Sequence, residues 1–180
     1  DTTHLTVVDA EGNVASITHS LGNISGVITP GLGFMYNNGM NRFDPRPGRA
    51  SSIAPGKARL HLMMPSVAFQ GGRLAMAFGA PGGNAILGAL TQVFTNVVDF
   101  GMNIQEAVDA PRLHHQWLPD QTRYERWGLS PDTLALLLQQ GHTMVETRVQ
   151  GAVAAIYYNA EDNVLEAAED RRRTSAAVGF

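Results

Sequence analysis

The sequence contains no cysteine, no excess of positive charge and no long apolar segment. Without cysteine the chain has neither a disulfide framework nor a thiol nucleophile, which excludes cysteine hydrolase chemistry and leaves the redox compartment open. A net charge of −3 provides no basic surface for nucleic acid or for a membrane. The apolar runs are short and interrupted by glycine, and the first residues show no charged-then-apolar export signal. We therefore expect neither nucleic acid nor membrane as a partner.

Length and hydrophobic pattern favour one mixed unit. The 180 residues, 44% of them hydrophobic, suffice for one sizeable core, and we expect a single domain over residues 1–180. Periodicity predicts a hairpin over 2–18, an extended piece at 27–29, a long loop at 39–58, helices at 84–99, 103–110 and 130–141, and strands at 63–69, 74–78, 143–147, 153–158 and 164–167. Strands, then helices, then strands indicate the α+β class with antiparallel sheets.

A threonine hydroxyl lies at the start of the first predicted strand. Alternation puts Thr2, His4 and Thr6 on one face of that strand and Thr3 on the other. Threonine is also common in strands for packing reasons alone. The strand by itself therefore leaves a nucleophile and a packing residue as open alternatives.

Five motifs follow one another over most of the chain. They are Thr2-Thr3-His4-Leu5-Thr6-Val7-Val8-Asp9 with Glu11-Gly12-Asn13, Asn37-Asn38 with Met40 and Phe43, Ala54-Pro55-Gly56-Lys57, Pro81-Gly82-Gly83, and the run from Ala110 to Asp120. In this order they resemble the small subunit of the gamma-glutamyltransferase family. The resemblance implies the four-layer αββα sandwich of N-terminal-nucleophile hydrolases. It also implies an autoprocessed heterodimer, with this chain as the small, C-terminal subunit and a large, N-terminal subunit from the same precursor as its partner.

The resemblance implies that Thr2 is the nucleophile, because the family's precursor is cut immediately before the first threonine of Thr-Thr-His. The cleavage site is then the Asp1–Thr2 bond. A threonine hydroxyl needs a base, and in this enzyme class the base is the threonine's own α-amino group, with an ordinary pKa of about 7.7 to 8.0. As written, Asp1 blocks that amine. Attack of the Thr2 hydroxyl on the Asp1 carbonyl would give an ester that water opens, which frees the amine.

Gly82, Gly83 and Ser20 complete the implied catalytic set. The two glycines precede a predicted helix, where unpaired backbone N–H groups collect and can stabilise an oxyanion. The family uses this Pro-Gly-Gly in that way, and Ser20 matches a threonine that hydrogen-bonds the nucleophile. The alternatives are a plain strand-to-helix turn and an ordinary loop serine. We expect His4 to be structural.

The sequence departs from the family where the γ-glutamyl group is held. Gly39 stands for a glutamine, Arg42 for the acid that binds the substrate ammonium, His61 and Leu62 for two serines, and Gly22 for an asparagine. A guanidinium repels an ammonium. We therefore expect a small-molecule amide with a different acyl group. Arg42 favours an acyl group that bears a carboxylate, such as the monoamide of a small diacid, although a solvated loop arginine is the competing interpretation.

Two other functions remain open from the sequence. One is a true gamma-glutamyltransferase or glutathione hydrolase with a rebuilt pocket, and the other is a non-catalytic binding or assembly relative. No cofactor is indicated. His114 and His115 lack the i, i+4 spacing and the carboxylate partner of a zinc site, so we expect no metal. We interpret Arg171-Arg172-Arg173 as a solvated or subunit-facing charge run, and only weakly as an anion site.

Overall fold

The computed structural model describes residues 2–148 and 150–179. The strands are β1 (Thr2–Val8), β2 (Val14–Ser20), β3 (Ile24–Ile28), β4 (Met35–Asn37), β5 (Ser66–Gln70), β6 (Arg73–Gly79), β7 (Leu113–His115), β8 (Thr122–Glu125), β9 (Met144–Thr147), β10 (Ala154–Asn159) and β11 (Val164–Ala168). The helices are α1 (Ile86–Val98), α2 (Ile104–Asp109) and α3 (Pro131–Gln139), with 3-10 turns at Gly39–Arg42 and Gly83–Ala85. None of the described helices is both long and apolar enough to cross a membrane.

The predicted first hairpin is present. β1 and β2 are antiparallel, with Thr2 opposite Ser20 and Val8 opposite Val14. Asp9 sets the turn, because its Oδ1 accepts hydrogen bonds from the backbone N–H groups of Glu11 and Asn13. The side chains alternate between half-buried and exposed along both strands, so one face of the hairpin is turned inward. Thr2 lies on that inward face.

A four-stranded antiparallel sheet in the order β11-β10-β6-β5 forms the centre of the fold. α1 and α2 cover one face of it, and the core between them includes Met76, Phe78, Leu90 and Val93, each no more than 5% exposed. The hairpin packs on the other face, where the His4 imidazole lies against Gly79. The described chain thus provides one helical layer and two β layers.

The helix starts follow the predicted chemistry. Asn103 and Glu106 form a reciprocal capping box at the start of α2. Ser130 caps α3, whose first residue is Pro131. The helix predicted over 84–99 begins instead with the 3-10 turn and becomes α-helical at Ile86.

The third sheet corrects one prediction. β7, β8 and β9 form a sheet in which β7 and β8 are antiparallel but β8 and β9 are parallel. The sequence of elements predicts antiparallel sheets. α3 lies between β8 and β9 in the chain and provides the crossover that parallel neighbours need.

Candidate active site

The first strand begins at a cleft, and its first residue is the candidate nucleophile Thr2. Thr2 Oγ1 lies 2.9 Å from Ser20 Oγ, and either hydroxyl can be the donor. Ser20 Oγ also accepts a hydrogen bond from the Gly22 backbone N–H, at 3.0 Å. The strand register therefore places a hydroxyl against the Thr2 side chain, in the arrangement that the sequence predicted. The other half of the predicted cleavage site, Asp1, lies outside the described residues.

Two glycine amides face the same cleft as Thr2. Gly82 and Gly83 line it together with Thr2 and Ser20. Both glycines have positive φ, 151° and 60°, and they open the 3-10 turn that leads into α1. Within the described residues, the backbone N–H groups of Gly82 and Gly83 have no hydrogen-bond acceptor. These amides are therefore free to bind an anionic oxygen.

Position 82 requires glycine for two reasons: its φ is positive, and there is no room for a Cβ atom. A Cβ on Gly82 would lie 2.6 Å from Gly151 Cα, which is backbone and cannot swing away. The Gly151 segment is fixed to the turn by a hydrogen bond of 3.0 Å from the Ala152 N–H to the Pro81 carbonyl. The shape of the glycine turn thus depends on a chain segment that is almost 70 residues away in sequence.

The cleft has two lobes that share Thr2, Ser20, Gly22, Arg42 and Gly83. The first lobe is further lined by Arg59, Leu60, His61, Leu62, Met63 and Ile86. The second lobe is further lined by Asn23, Gly82, Gly151 and Arg173. Of the residues predicted to bind substrate, Arg42, His61 and Gly22 are thus brought to the cleft. Arg59, Gly151 and Arg173 are lining residues that the sequence did not indicate.

Gly39 is a correction to the predicted set. It is buried and lines neither lobe. A Cβ there would lie 2.8 Å from both Arg59 Cζ and Asn37 Oδ1, so the Arg59 side chain covers this glycine and separates it from the cleft. A larger residue at this position would require the Arg59 and Asn37 side chains to move.

His4 is held as a neutral structural residue, as the sequence predicted. Its Nδ1 lies 2.8 Å from Thr18 Oγ1 and its Nε2 lies 2.7 Å from Thr6 Oγ1. Burial lowers the pKa of His4 to about 4. The ring therefore connects the two strands of the hairpin and packs against Gly79. It stays neutral near neutral pH.

A buried ionic network lies behind the glycine turn. Arg112 is 1% exposed; its guanidinium donates to Asp170 Oδ2 at 2.8 Å and to the Gly151 carbonyl at 3.3 Å. Burial raises the pKa of Asp170, but Arg112 and the N–H groups of Arg172 and Val153 outweigh burial and hold that pKa below its usual value. Asp170 Oδ2 also accepts from the Val153 N–H at 2.8 Å. The network thus fixes both ends of the Gly151–Val153 segment.

Arg172 corrects the interpretation of the arginine run. Its guanidinium bonds to Glu125 at 2.6 Å and 2.8 Å and to the Ala110 carbonyl at the end of α2 at 2.9 Å. Only 15% of its side chain is exposed, so it is not a solvated charge. Arg171 is exposed, with a long ion pair of 3.7 Å to Asp109. Arg173 is among the residues that line the second lobe of the cleft.

The paired histidines have local roles. His115 Nε2 lies 3.0 Å from Asp120 Oδ1, and His114 Nε2 lies 3.3 Å from Gln116 Oε1. Among the described residues, no group of three or more His, Asp or Glu side chains is arranged to hold a metal ion.

The whole chain matches a known family and its solved structures. The family model described as gamma-glutamyltranspeptidase matches residues 1–180. The chain is 34% identical to a glutathione hydrolase proenzyme of Pseudomonas sp. strain A14, over 100% of this chain and 35% of that protein. It is 42% identical to the acylase ACY 1 proenzyme of Pseudomonas sp. strain V22, over 93% of this chain and 30% of that protein. The chain therefore spans about a third of the length of these relatives.

The structural comparison agrees with the sequence comparison. The solved gamma-glutamyltranspeptidase from Pseudomonas nitroreducens in complex with L-DON superposes with a TM-score of 0.90 and 34% identity, over 99% of both chains. This likeness confirms the predicted α+β class and the sandwich of N-terminal-nucleophile hydrolases. The family model, the two relatives and the superposition agree, and the chain belongs to the gamma-glutamyltranspeptidase family.

Proposed function

We propose that this chain is the catalytic small subunit of an N-terminal-nucleophile amidohydrolase or acyltransferase, with Thr2 as the nucleophile. The observation that carries the proposal is the meeting of the Thr2 hydroxyl, the Ser20 hydroxyl and the free amides of Gly82 and Gly83 in one cleft. The second lobe of the cleft, with a volume of about 320 Å³, suits a small molecule. The family membership and the enzymatic names of the relatives support the same reaction class.

The proposed reaction uses one residue as base and nucleophile. After cleavage of the Asp1–Thr2 bond, the α-amino group of Thr2 takes the hydroxyl proton as Oγ1 attacks the amide carbonyl carbon of the substrate. The oxyanion accepts hydrogen bonds from the Gly82 and Gly83 amides. Collapse of the intermediate transfers the proton to the leaving amine and leaves an ester on Thr2. Water, or an acceptor amine, then opens the ester and restores the hydroxyl.

The same groups account for precursor cleavage. Thr2 Oγ1 attacks the Asp1 carbonyl, the peptide bond shifts to an ester, and water opens that ester to give the Asp1 carboxylate and the free amine of Thr2. Ser20 is placed to hold the hydroxyl during both reactions, since it hydrogen-bonds Oγ1 at 2.9 Å.

Arg42 supports an acyl group that bears a carboxylate. It is exposed, lines both lobes beside Thr2, and has no ion-pair partner among the described residues. A guanidinium binds a carboxylate through paired, charge-assisted hydrogen bonds. The monoamide of a small diacid is thus the proposed substrate type. The alternative, a glutathione hydrolase, is favoured by the name of the strain A14 relative.

A large subunit is the proposed partner of the hairpin's outer face. Leu5, Val7 and Ile17 lie on that face and are 46% to 58% exposed. The relatives are named proenzymes and are about three times as long as this chain. An upstream segment of the precursor would cover this apolar face and complete the four-layer sandwich.

The decisive experiment uses the full-length precursor. We expect it to appear as two bands on a denaturing gel, with a small chain whose mass begins at Thr2. Thr2→Ala should remain one band and be inactive, whereas the matched control Thr3→Ala, altered on the exposed face of the same strand, should be cleaved. A wild-type precursor that stays uncleaved would contradict the proposal and favour a non-catalytic relative.

The acyl group is tested with three 4-nitroanilides, carrying glutaryl, γ-glutamyl or butyryl groups. We expect the highest kcat/KM with glutaryl, and Arg42→Gln should remove its advantage over butyryl. Efficient γ-glutamyl turnover would instead identify a glutathione-hydrolase-type enzyme.

A further inference from the structure

The guanidinium of Arg59 lies in the space that a side chain at position 39 would occupy. A Cβ on Gly39 would lie 2.8 Å from Arg59 Cζ and 2.9 Å from Arg59 Nε. Gly39 is buried and Arg59 is half-buried, and Arg59 lines the first lobe of the cleft together with Thr2 and Arg42. Because position 39 has no side chain, the Arg59 guanidinium lies against the turn that carries Arg42.

Neither of these two cations is neutralised by the described part of the chain. Among the described residues, neither guanidinium forms a hydrogen bond or an ion pair. Asp44 is the only acidic residue in the sequence between positions 39 and 63, and its carboxylate lies 2.8 Å from Arg46 and 3.8 Å from Arg49. No acidic residue is among the described residues that line the first lobe. Since charges that are withdrawn from water are normally paired, the lobe has the charge of an anion site.

The turn that carries Arg42 is fixed next to the candidate nucleophile. The Asn38 N–H donates to the Leu21 carbonyl at 2.8 Å, directly after Ser20 at the end of β2. The Ser20 hydroxyl in turn hydrogen-bonds the Thr2 hydroxyl. An anion bound at this turn is therefore held at a set position relative to the nucleophile, and the backbone of the turn is already ordered before the anion binds.

We propose that Arg59 and Arg42 form one two-guanidinium site for the terminal carboxylate of the acyl group, so that Arg59 is a second specificity-determining residue of the cleft. This inference rests on the proposed function, in which the substrate is the monoamide of a small diacid. A carboxylate accepts up to about four hydrogen bonds, which two guanidiniums can supply in charge-assisted form. The first lobe, with a volume of about 40 Å³, suits a group of that size. A substrate ammonium in the same place would meet two positive charges.

The test uses glutaryl-4-nitroanilide and butyryl-4-nitroanilide, which differ only in the terminal carboxylate. Each is assayed with the mature enzyme made from the full-length precursor, as wild type, Arg59→Gln, Arg59→Lys and Gly39→Ala. The matched control is Arg49→Gln, which changes an exposed arginine of the same loop that does not line the cleft. Precursor cleavage into two chains verifies that each variant has folded. Isothermal titration calorimetry with glutarate and with butyrate measures binding without turnover.

We expect Arg59→Gln to lower kcat/KM for the glutaryl substrate by about 10-fold or more, mainly through a higher KM, and for the butyryl substrate by less than about 2-fold. The affinity for glutarate should fall by a similar factor. Arg59→Lys should retain part of the preference for glutaryl, and Arg49→Gln should retain all of it. Gly39→Ala should reproduce much of the loss, because its Cβ requires the Arg59 guanidinium to move, and should add nothing in an Arg59→Gln background.

Each contrary result has a distinct meaning. Equal losses on both substrates, no loss on either, or a Gly39→Ala effect that persists in full without Arg59 would overturn the role of Arg59 and leave the proposed function standing. If the wild-type protein cleaves no amide at all, the proposed function fails. Glutarate binding that depends on Arg59 would then still establish the two-guanidinium site, and the absence of such binding would refute the site as well.

Discussion

Substitution of Gly79 by alanine is the sharpest test of how the nucleophile-bearing strand is held. Gly79 is buried at the end of β6, with Ala154 of β10 opposite. A Cβ at this position would lie 2.6 Å from His4 Nε2 and closer still to Nδ1 and Cε1. The ring cannot rotate away freely, because Thr18 and Thr6 hold both of its nitrogens.

The loss of stability comes from the hydrogen bonds of the His4 ring and from overpacking of the site. Two hydrogen bonds, at roughly 0.5–1.5 kcal/mol each, are lost or distorted. Overpacking a closed site adds roughly 1–3 kcal/mol. We therefore expect Gly79→Ala to lower the free energy of unfolding by about 2 to 5 kcal/mol. The melting temperature should fall accordingly.

Thermal unfolding of the mature enzyme, followed by circular dichroism, measures the effect. The matched control is Gly88→Ala in α1, where the new Cβ would meet nothing nearer than 3.7 Å. That change should be neutral or stabilising by up to about 1 kcal/mol, since alanine is the better helix former.

A double mutant separates the steric cause from a general intolerance of alanine. In a His4→Ala background the ring is gone, and Gly79→Ala should then cost less than about 1 kcal/mol. Equal costs of Gly79→Ala in the two backgrounds, or no cost in the wild type, would refute the reasoning.

Further outcomes follow from the candidate site and from the residues that support it. Ser20→Ala should lower kcat/KM by about 10-fold through loss of the hydrogen bond to the nucleophile, whereas Ser20→Thr should retain most activity. Gly82→Ala should lower kcat by about 100-fold or more, because its Cβ meets backbone. Gly83→Ala, which meets open space, should cost less. Asp170→Asn should destabilise the fold by roughly 3–5 kcal/mol by leaving buried guanidinium charge unpaired. In the wild type, the stabilisation from the lowered pKa of Asp170 is present above its ordinary pKa and is lost as pH falls through the folded value. The lowered pKa of His4 has its effect at higher pH, because between pH about 6.5 and about 4 the imidazole is protonated in the unfolded chain but not in the folded chain. The free energy of unfolding, measured by urea titration, should therefore decrease as the pH falls through this range. The decrease should be smaller in the His4→Gln variant.

The strand, the hairpin and the glycine turn were predictable because their signals are local. Alternation placed Thr2 and His4 on one face, and Pro81-Gly82-Gly83 marked the start of a helix. The capping box at Asn103 was likewise present in four residues of sequence. Each of these features depends on residues only a few positions apart, so the local sequence specifies it without tertiary contacts.

The arginine run was not predictable, because three identical residues in a row carry no sign of which one is buried. Arg172 is the buried one because it forms ion pairs with Glu125 and Asp170, and Glu125 lies close to it only in the folded chain. The position of Gly39 outside the cleft lining has the same origin, since Arg59 covers it from 20 positions further along the chain. The short strands β7 and β8 show too little periodicity to indicate the parallel pairing of β8 with β9.

The register of the first hairpin has a consequence for how this chemistry evolves. Seven residue pairs connect the Asp9–Asn13 turn to Thr2, over six steps or roughly 20 Å. Successive side chains of a strand point in opposite directions, so a slip by one position would present Thr3 to the cleft and expose Thr2. A single-residue insertion or deletion in this solvent-facing turn that shifts the pairing of β1 by one position would therefore move the Thr2 side chain out of the cleft.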